Sequence, residues 1–122
     1  MIEIANNNKK TGNKGENIAK TYLESNNYIV LDTNYNTIYG EIDIIAQKDD
    51  CIIFVEVKSR NSNNFGKAME AVDEKKIDKI YNTSLQYIVD NSIANKQFRY
   101  DVIEVYIKDL NINHIVNAFY II

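Results

Sequence analysis

Asp43, Glu56 and Lys58 lie in the stretch YGEIDIIAQKDDCIIFVEVKSR, residues 39–60, in a pattern that can do chemistry. The stretch reads as two strands, from about Tyr39 to Gln47 and from about Cys51 to Ser59. Both are rich in β-branched and aromatic residues, and the polar turn Lys48-Asp49-Asp50 joins them. A two-residue Asp49-Asp50 loop, or a four-residue loop one step wider, sets Asp43 opposite Glu56 and Glu41 opposite Lys58. Alternation then puts these four charges on one face, and Ile42, Ile44, Ile53, Val55 and Val57 on another that suits a core. Directly opposed residues of an antiparallel pair have Cβ atoms roughly 4.5–5.5 Å apart, so the Asp43 and Glu56 carboxylates can share one ion. Without it they repel, by roughly 1 kcal/mol at about 4 Å in water and about 4 kcal/mol at an effective dielectric of 20. That is a poor arrangement for structural duty alone, and a positive charge is expected between them. Lys58, two residues beyond Glu56 on the same face, lies near the pair. The bland alternative is a solvated sheet face with a Glu41–Lys58 ion pair worth well under about 1 kcal/mol.

Other elements must hold this hairpin in place. Ile18, Ala19, Tyr22 and Leu23 recur at helical spacing, which predicts a helix from about Asn13 to Ser25 with its apolar stripe on the sheet, after a polar, frayed segment over residues 1–11. Glu16 falls in its first turn, where the helix dipole already favours a carboxylate. A strand over Tyr28 to Thr33 and an Asn-rich turn over Asn34 to Asn36 lead into the Asp43 strand, giving a three-stranded meander. After a loop at 61–64, a long helix runs from about Gly66 to Asp90, with Ala68, Ala71, Val72, Ile77, Ile80, Tyr81, Leu85 and Ile88 as its apolar face. A strand over Gln97 to Ile107 then pairs in parallel beside the Glu56 strand. On it Arg99 and Asp101 share a face, either as a structural ion pair or with Arg99 facing a phosphate. Ile115 to Ile122 reads as an apolar edge strand, and the tyrosines as core and half-buried sheet residues rather than a base-stacking platform.

A chain of 122 residues that is 45% hydrophobic is expected to form one domain spanning 1–122 with a single core. It has no apolar run of membrane-spanning length and no hydrophobic leader at MIEIANNNKK, which implies a cytoplasmic protein with no membrane partner. One cysteine, Cys51, and one histidine, His114, exclude an internal disulfide, a zinc finger and cysteine–histidine catalysis. Cys51 reads as a small buried or half-buried hydrophobe and His114 as an exposed loop or strand-edge residue. A net charge of −3 argues against indiscriminate coating of nucleic acid, yet Lys58, Arg60 and Lys67 with no acid between them, and Lys9, Lys10, Lys14 and Lys20 near the N-terminus, can form a local basic rim.

Several segments together carry a resemblance: Gly15-Glu16, Ala19 and Tyr22-Leu23; Gly40-Glu41-Ile42-Asp43-Ile44-Ile45; Phe54-Val55-Glu56-Val57-Lys58-Ser59-Arg60; Gly66, Ala71-Val72 and Lys76; Arg99-Tyr100-Asp101-Val102; and Asn117-Ala118-Phe119. Over nearly the whole chain they resemble the YraN family, small bacterial proteins similar to archaeal-type Holliday junction resolvases within the PD-(D/E)XK nuclease superfamily. Tyr35-Asn36-Thr37-Ile38-Tyr39 supplies no basic residue where related sequences commonly carry one. The resemblance implies an α/β fold with a restriction-endonuclease-like αβββαβ core, its mixed central sheet flanked by helices. It also implies a metal-dependent endonuclease acting on DNA, including branched or junction DNA, and a homodimer by analogy. On that reading Asp43, Glu56 and a backbone carbonyl near Val57 hold Mg²⁺ or Mn²⁺. Lys58 orients the attacking water or offsets charge on the phosphorane, Glu16 positions water beside the metal, and Arg60, Lys67, Lys76 and Arg99 contact nucleic acid. The rival readings are a catalytically silent nucleic-acid-binding module of the same fold and an interaction domain with a surface ion-pair network.

Overall fold

The computed structural model describes residues 2–60 and 73–119, with residues 2–13 as backbone. Helix α1 spans Ile2–Ser25, followed by strands β1 (Ile29–Thr37), β2 (Gly40–Lys48) and β3 (Cys51–Arg60), helix α2 (Glu74–Asp90), and strands β4 (Gln97–Tyr106) and β5 (Asn111–Ile115). The strands form one sheet in the order β1-β2-β3-β4-β5. It is antiparallel except between β3 and β4, which α2 connects and which run parallel. This is the mixed sheet and αβββαβ order expected from the sequence.

Each face of the sheet is covered by one helix. Ala19 and Leu23 of α1 pack on Ile44, Ala46, Ile53, Val55, Ile103 and Val105, while Ile80 and Tyr87 of α2 pack on Ile42, Ile45, Ile52 and Phe54. Full burial of an Ile or Leu side chain contributes roughly 1.5–3 kcal/mol, so the two layers together fix where the helices sit on the sheet. The buried side of α2 is Ile80, Thr83, Ser84 and Tyr87, and Leu85 is 40% exposed, contrary to its expected place in the core. Thr83 and Ser84 turn their hydroxyls back to the carbonyls of Lys79 and Tyr81, so their small side chains pack without a stranded donor.

Local chemistry sets the helix ends. Asn27, at φ 68°, ends α1, with Tyr28 N–H donating to the Leu23 carbonyl and Asn27 N–H to that of Glu24. Asp73 caps α2 by accepting from Lys76 N–H at 2.8 Å, which fixes the rotation of its first turn. Helix α1 begins at Ile2 rather than near Asn13, since a helix already nucleated on the sheet extends at little cost. The expected portion of the second helix over residues 66–72 lies outside the described residues, as does the loop expected at 61–64.

The β2–β3 register is the expected one, from Lys48↔Cys51 to Ile44↔Val55 around a two-residue turn with Asp49 at φ 53°. Two expectations for the meander are corrected. The Asn-rich segment is not a turn: β1 continues to Thr37, and the chain reverses at Ile38-Tyr39. Ile42 also does not share the face of Ile44, because it packs in the α2 layer with Tyr35, while Ile44 packs in the α1 layer. The inversion falls where Asn34, at φ 52°, stands across from Asp43 between the pairs Thr33↔Ile44 and Tyr35↔Ile42. A left-handed residue inside a strand turns the chain that follows it, and simple alternation does not anticipate this.

The C-terminal edge strand is β5, Asn111–Ile115, rather than a strand over 115–122, because the polar Asn111-Ile-Asn-His segment pairs with β4. Residues 120–122 lie outside the described residues.

Candidate active site

Four elements converge where β2 and β3 separate. Past Ile44↔Val55 the ladder gives way to a side-chain bond: Asp43 Oδ2 accepts from Val57 N–H at 2.7 Å. That bond satisfies the β3 amide and turns the Asp43 carboxyl toward β3. Glu56 is almost fully buried and stands within reach of sharing a proton with Asp43. Burial first, and then the Glu56 carboxyl, push the Asp43 pKa from 3.8 up to about 8, against the opposing bond from Val57. Charge on Asp43 is disfavoured beside Glu56, as their cross-strand placement implied.

The positive charge expected between them comes from α2. Lys76 Nζ lies 3.1 Å from Glu56 Oε1, placed by the Asp73 cap one turn earlier. Burial lowers the Lys76 pKa, but Glu56 and Asp43 outweigh it and raise it overall, so Lys76 stays cationic. Lys58 is half-buried two residues along β3 and alternates onto the side of Glu56; its neighbour across the parallel ladder is Glu104.

Helix α1 delivers Glu16. Gly15 makes this approach possible, since a Cβ there would collide with Ser59 Oγ on β3. Burial and the nearby Glu41 raise the Glu16 pKa, while Asn34 acts against them and Glu56 adds to them. The Asn34 amide points its nitrogen at these acids, because an oxygen there would face only acceptors. Asn34 Nδ2 donates to Glu16 Oε1 at 2.7 Å and to Glu41 Oε1 at 2.9 Å. The Glu41 carboxylate is thus engaged by Asn34.

The remaining site residues distribute as follows. Arg60 ends β3 with its Nε buried and without a hydrogen-bond partner among the described residues, and Lys67 lies outside them. Arg99 sits toward the opposite end of the sheet, paired across from Ile53. Its guanidinium bonds both Asp101 oxygens at 2.9 Å and the Tyr28 hydroxyl at 2.9 Å, so the structural Arg–Asp pair is the arrangement realised. Asp101 also accepts from His114 Nε2 at 2.7 Å and Asn117 N–H at 3.0 Å, and His114 Nδ1 faces the Tyr22 hydroxyl at 3.0 Å. His114 is therefore on the edge strand as expected but is half-buried rather than exposed, its side chain only 8% accessible. Cys51 is half-buried as expected, and burial pushes its thiol up.

Sequence reasoning missed Asn34 as a partner of the acids, and also Glu104, a fully buried carboxylate whose Oε1 accepts from Asn113 at 2.8 Å while Oε2 has no hydrogen-bond partner among the described residues. For Glu104 the signal was available: a lone charge within the apolar run Val102-Ile103-Glu104-Val105.

An αβββαβ core with an acid from the first helix, an Asp on one strand and Glu-x-Lys on the next defines a restriction-endonuclease-like class of fold. Within that class the chain belongs to the uncharacterised protein family UPF0102, the YraN family it resembles, whose model matches residues 15–105. It is 50% identical over 113 residues to a UPF0102 protein of Clostridioides difficile (strain 630), covering 93% of this chain and 99% of that one. A UPF0102 protein of Sulfurihydrogenibium sp. (strain YO3AOP1) is 51% identical over 104 residues, covering 85% and 89%. One from Alkaliphilus oremlandii is 49% identical over 116 residues, covering 92% and 99%. Among the described residues no helix is long and apolar enough to cross a membrane.

Proposed function

We propose that the protein is a metal-dependent endonuclease that hydrolyses phosphodiester bonds in DNA, with branched or junction DNA as the substrate class. The observation that carries this reading is the meeting of Asp43 and Glu56, two carboxyls held together with Asp43 largely withdrawn from water and its charge disfavoured by Glu56. Such a pair suits a hard divalent cation, Mg²⁺ or Mn²⁺. Among the described residues no third Asp, Glu, His or Cys completes a metal-binding group. That fits an ion which takes one or two carboxylates and leaves the rest of its shell to water, a backbone carbonyl such as that of Val57, and substrate oxygens. An ion held by Asp43 and Glu56 would supply Lewis-acid chemistry there, polarisation of the scissile phosphate and a lower pKa for water.

The chain's own groups supply the rest. Asp43, oriented by Val57 N–H, and Glu56 present their oxygens to the ion. Lys58 donates to the attacking water or to the phosphate as negative charge develops. Glu16, on the α1 side, accepts a hydrogen bond from that water and so aims it. Lys76 offsets Glu56 in the metal-free protein and, with Arg60 and Lys67, holds flanking phosphates. Arg99, committed to Asp101, is left out of that set. A two-fold homodimer would bring two such sites to a symmetric junction, and a cytoplasmic location belongs to the same reading.

The Lys76–Glu56 pair also favours a second reading, a silent nucleic-acid-binding module in which the lysine stands where the ion would act. Incubating the protein with linear, flapped, single-stranded and four-way DNA in Mn²⁺ decides between them. The nuclease reading expects cleavage that Asp43→Asn abolishes. Binding without cleavage on every substrate would favour the silent module.

A further inference from the structure

Asn34 does two things at once, and only one of them needs an asparagine. Its φ of 52° puts a non-glycine residue in the left-handed region inside β1, opposite Asp43. Glycine would meet that backbone demand with no steric cost. The amide is the additional feature: its nitrogen donates to Glu16 Oε1 and Glu41 Oε1 at 2.7 and 2.9 Å, one N–H to each. A lysine there would neutralise the acids, whereas a neutral amide holds two carboxylates together and leaves their charge in place. The clamp is open to solvent. Glu16, Asn17, Lys20, Thr33 and Asn34 line a cleft of about 330 Å³ between α1 and β1, so water reaches Glu16 from this side.

We infer that Asn34 is a positioning residue of this site, its amide fixing Glu16 against Glu41 at the wall of the cleft so that Glu16 aims the attacking water. The inference rests on the nuclease reading and extends it to two residues, Asn34 and Glu41, that make no bond to Asp43 or Glu56.

Asn34→Gly keeps the left-handed backbone and removes only the amide, and Asn34→Asp keeps the shape but turns the donor into a third carboxylate. Both are expected to lower kcat at least tenfold with KM within about twofold of the parent, as loss of an aimed proton acceptor does. A purely conformational role predicts that Asn34→Gly matches the parent, and a kcat within twofold of it would overturn the inference. The second measurement needs no activity and no metal: in a ¹⁵N–¹H spectrum of the metal-free protein, the Asn34 side-chain NH₂ resonances should shift in Glu16→Gln and again in Glu41→Gln. Resonances unmoved by both substitutions would overturn the clamp even if the variants are slow. A parent that cleaves no DNA would overturn the nuclease reading and the catalytic role of Asn34 with it, while the spectra would still decide whether the clamp exists.

Discussion

Asp43 and Asp101 are both withdrawn from water, and their neighbours drive them in opposite directions. Asp43 is pushed up to about 8 by burial and by Glu56. Between 3.8 and about 8 the metal-free fold keeps a proton that the unfolded chain has released, so this group's contribution is full at low pH and is lost as pH rises through that window. The metal-free protein should therefore melt lower at about pH 8.5 than at about pH 5, by roughly 4 °C or more for each 1 kcal/mol lost. Asp43→Asn should flatten that slope while keeping an oxygen for Val57 N–H. A slope unchanged in the variant would remove Asp43 as its source. For Asp101, burial pushes upward, but His114, Arg99 and the Asn117 N–H outweigh it and hold the carboxyl below its usual range. Its contribution is present above the ordinary value of 3.8 and is lost as pH falls through the lower folded value. Asp101→Asn strips a bidentate partner from a mostly buried guanidinium, and should cost about 3 kcal/mol at neutral pH, read as a melting point roughly 12 °C lower. A change under about 2 °C would mean that the cluster is not what ties β5 and α1 to β4.

At the level of elements, the close contact of α1 with β3 places Glu16. Gly15→Ala puts a methyl group against Ser59, costing about 1–3 kcal/mol of overpacking and moving the first part of the site away from the second. The expected result is a cleavage rate about tenfold lower, recovered in Gly15→Ala/Ser59→Gly, where room for the methyl returns. An equally slow double variant would show that the contact does not set the position of Glu16. These elements were unequally legible in the sequence. The Asp49-Asp50 turn fixed the β2–β3 register, so Asp43 and Glu56 could be brought together from residue numbers alone. Asn34 could not be read this way, because left-handed geometry inside a strand leaves no mark on an apolar–polar pattern. The buried side of α2 was misjudged because Thr83 and Ser84 earn their places by small volume and local hydroxyl bonds rather than by hydrophobicity. The Asp101–His114–Tyr22 contacts join residues far apart in the chain and carry no local signal.

Across the whole molecule, an acidic protein with a net charge of −3 could bind a polyanion only through a restricted surface. Arg60 and Lys67, which follow Glu56 and Lys58 in the chain, are the groups proposed for it. Replacing both with Ala should weaken DNA binding and reduce the slope of log affinity against log salt by about 1–2, with Mn²⁺ affinity nearly unchanged. Unchanged binding would move the substrate path elsewhere, for example to the α1–β1 cleft. The central claim, that Asp43 and Glu56 form a pair made for a divalent cation, is tested most directly by thermal melting of the parent and Asp43→Asn in chelator and then in Mn²⁺. In chelator the variant should be as stable as the parent or more so, by on the order of 1 kcal/mol, and Mn²⁺ should raise only the parent's melting point. A variant that is destabilised in chelator, together with a parent that Mn²⁺ leaves unmoved, would contradict it.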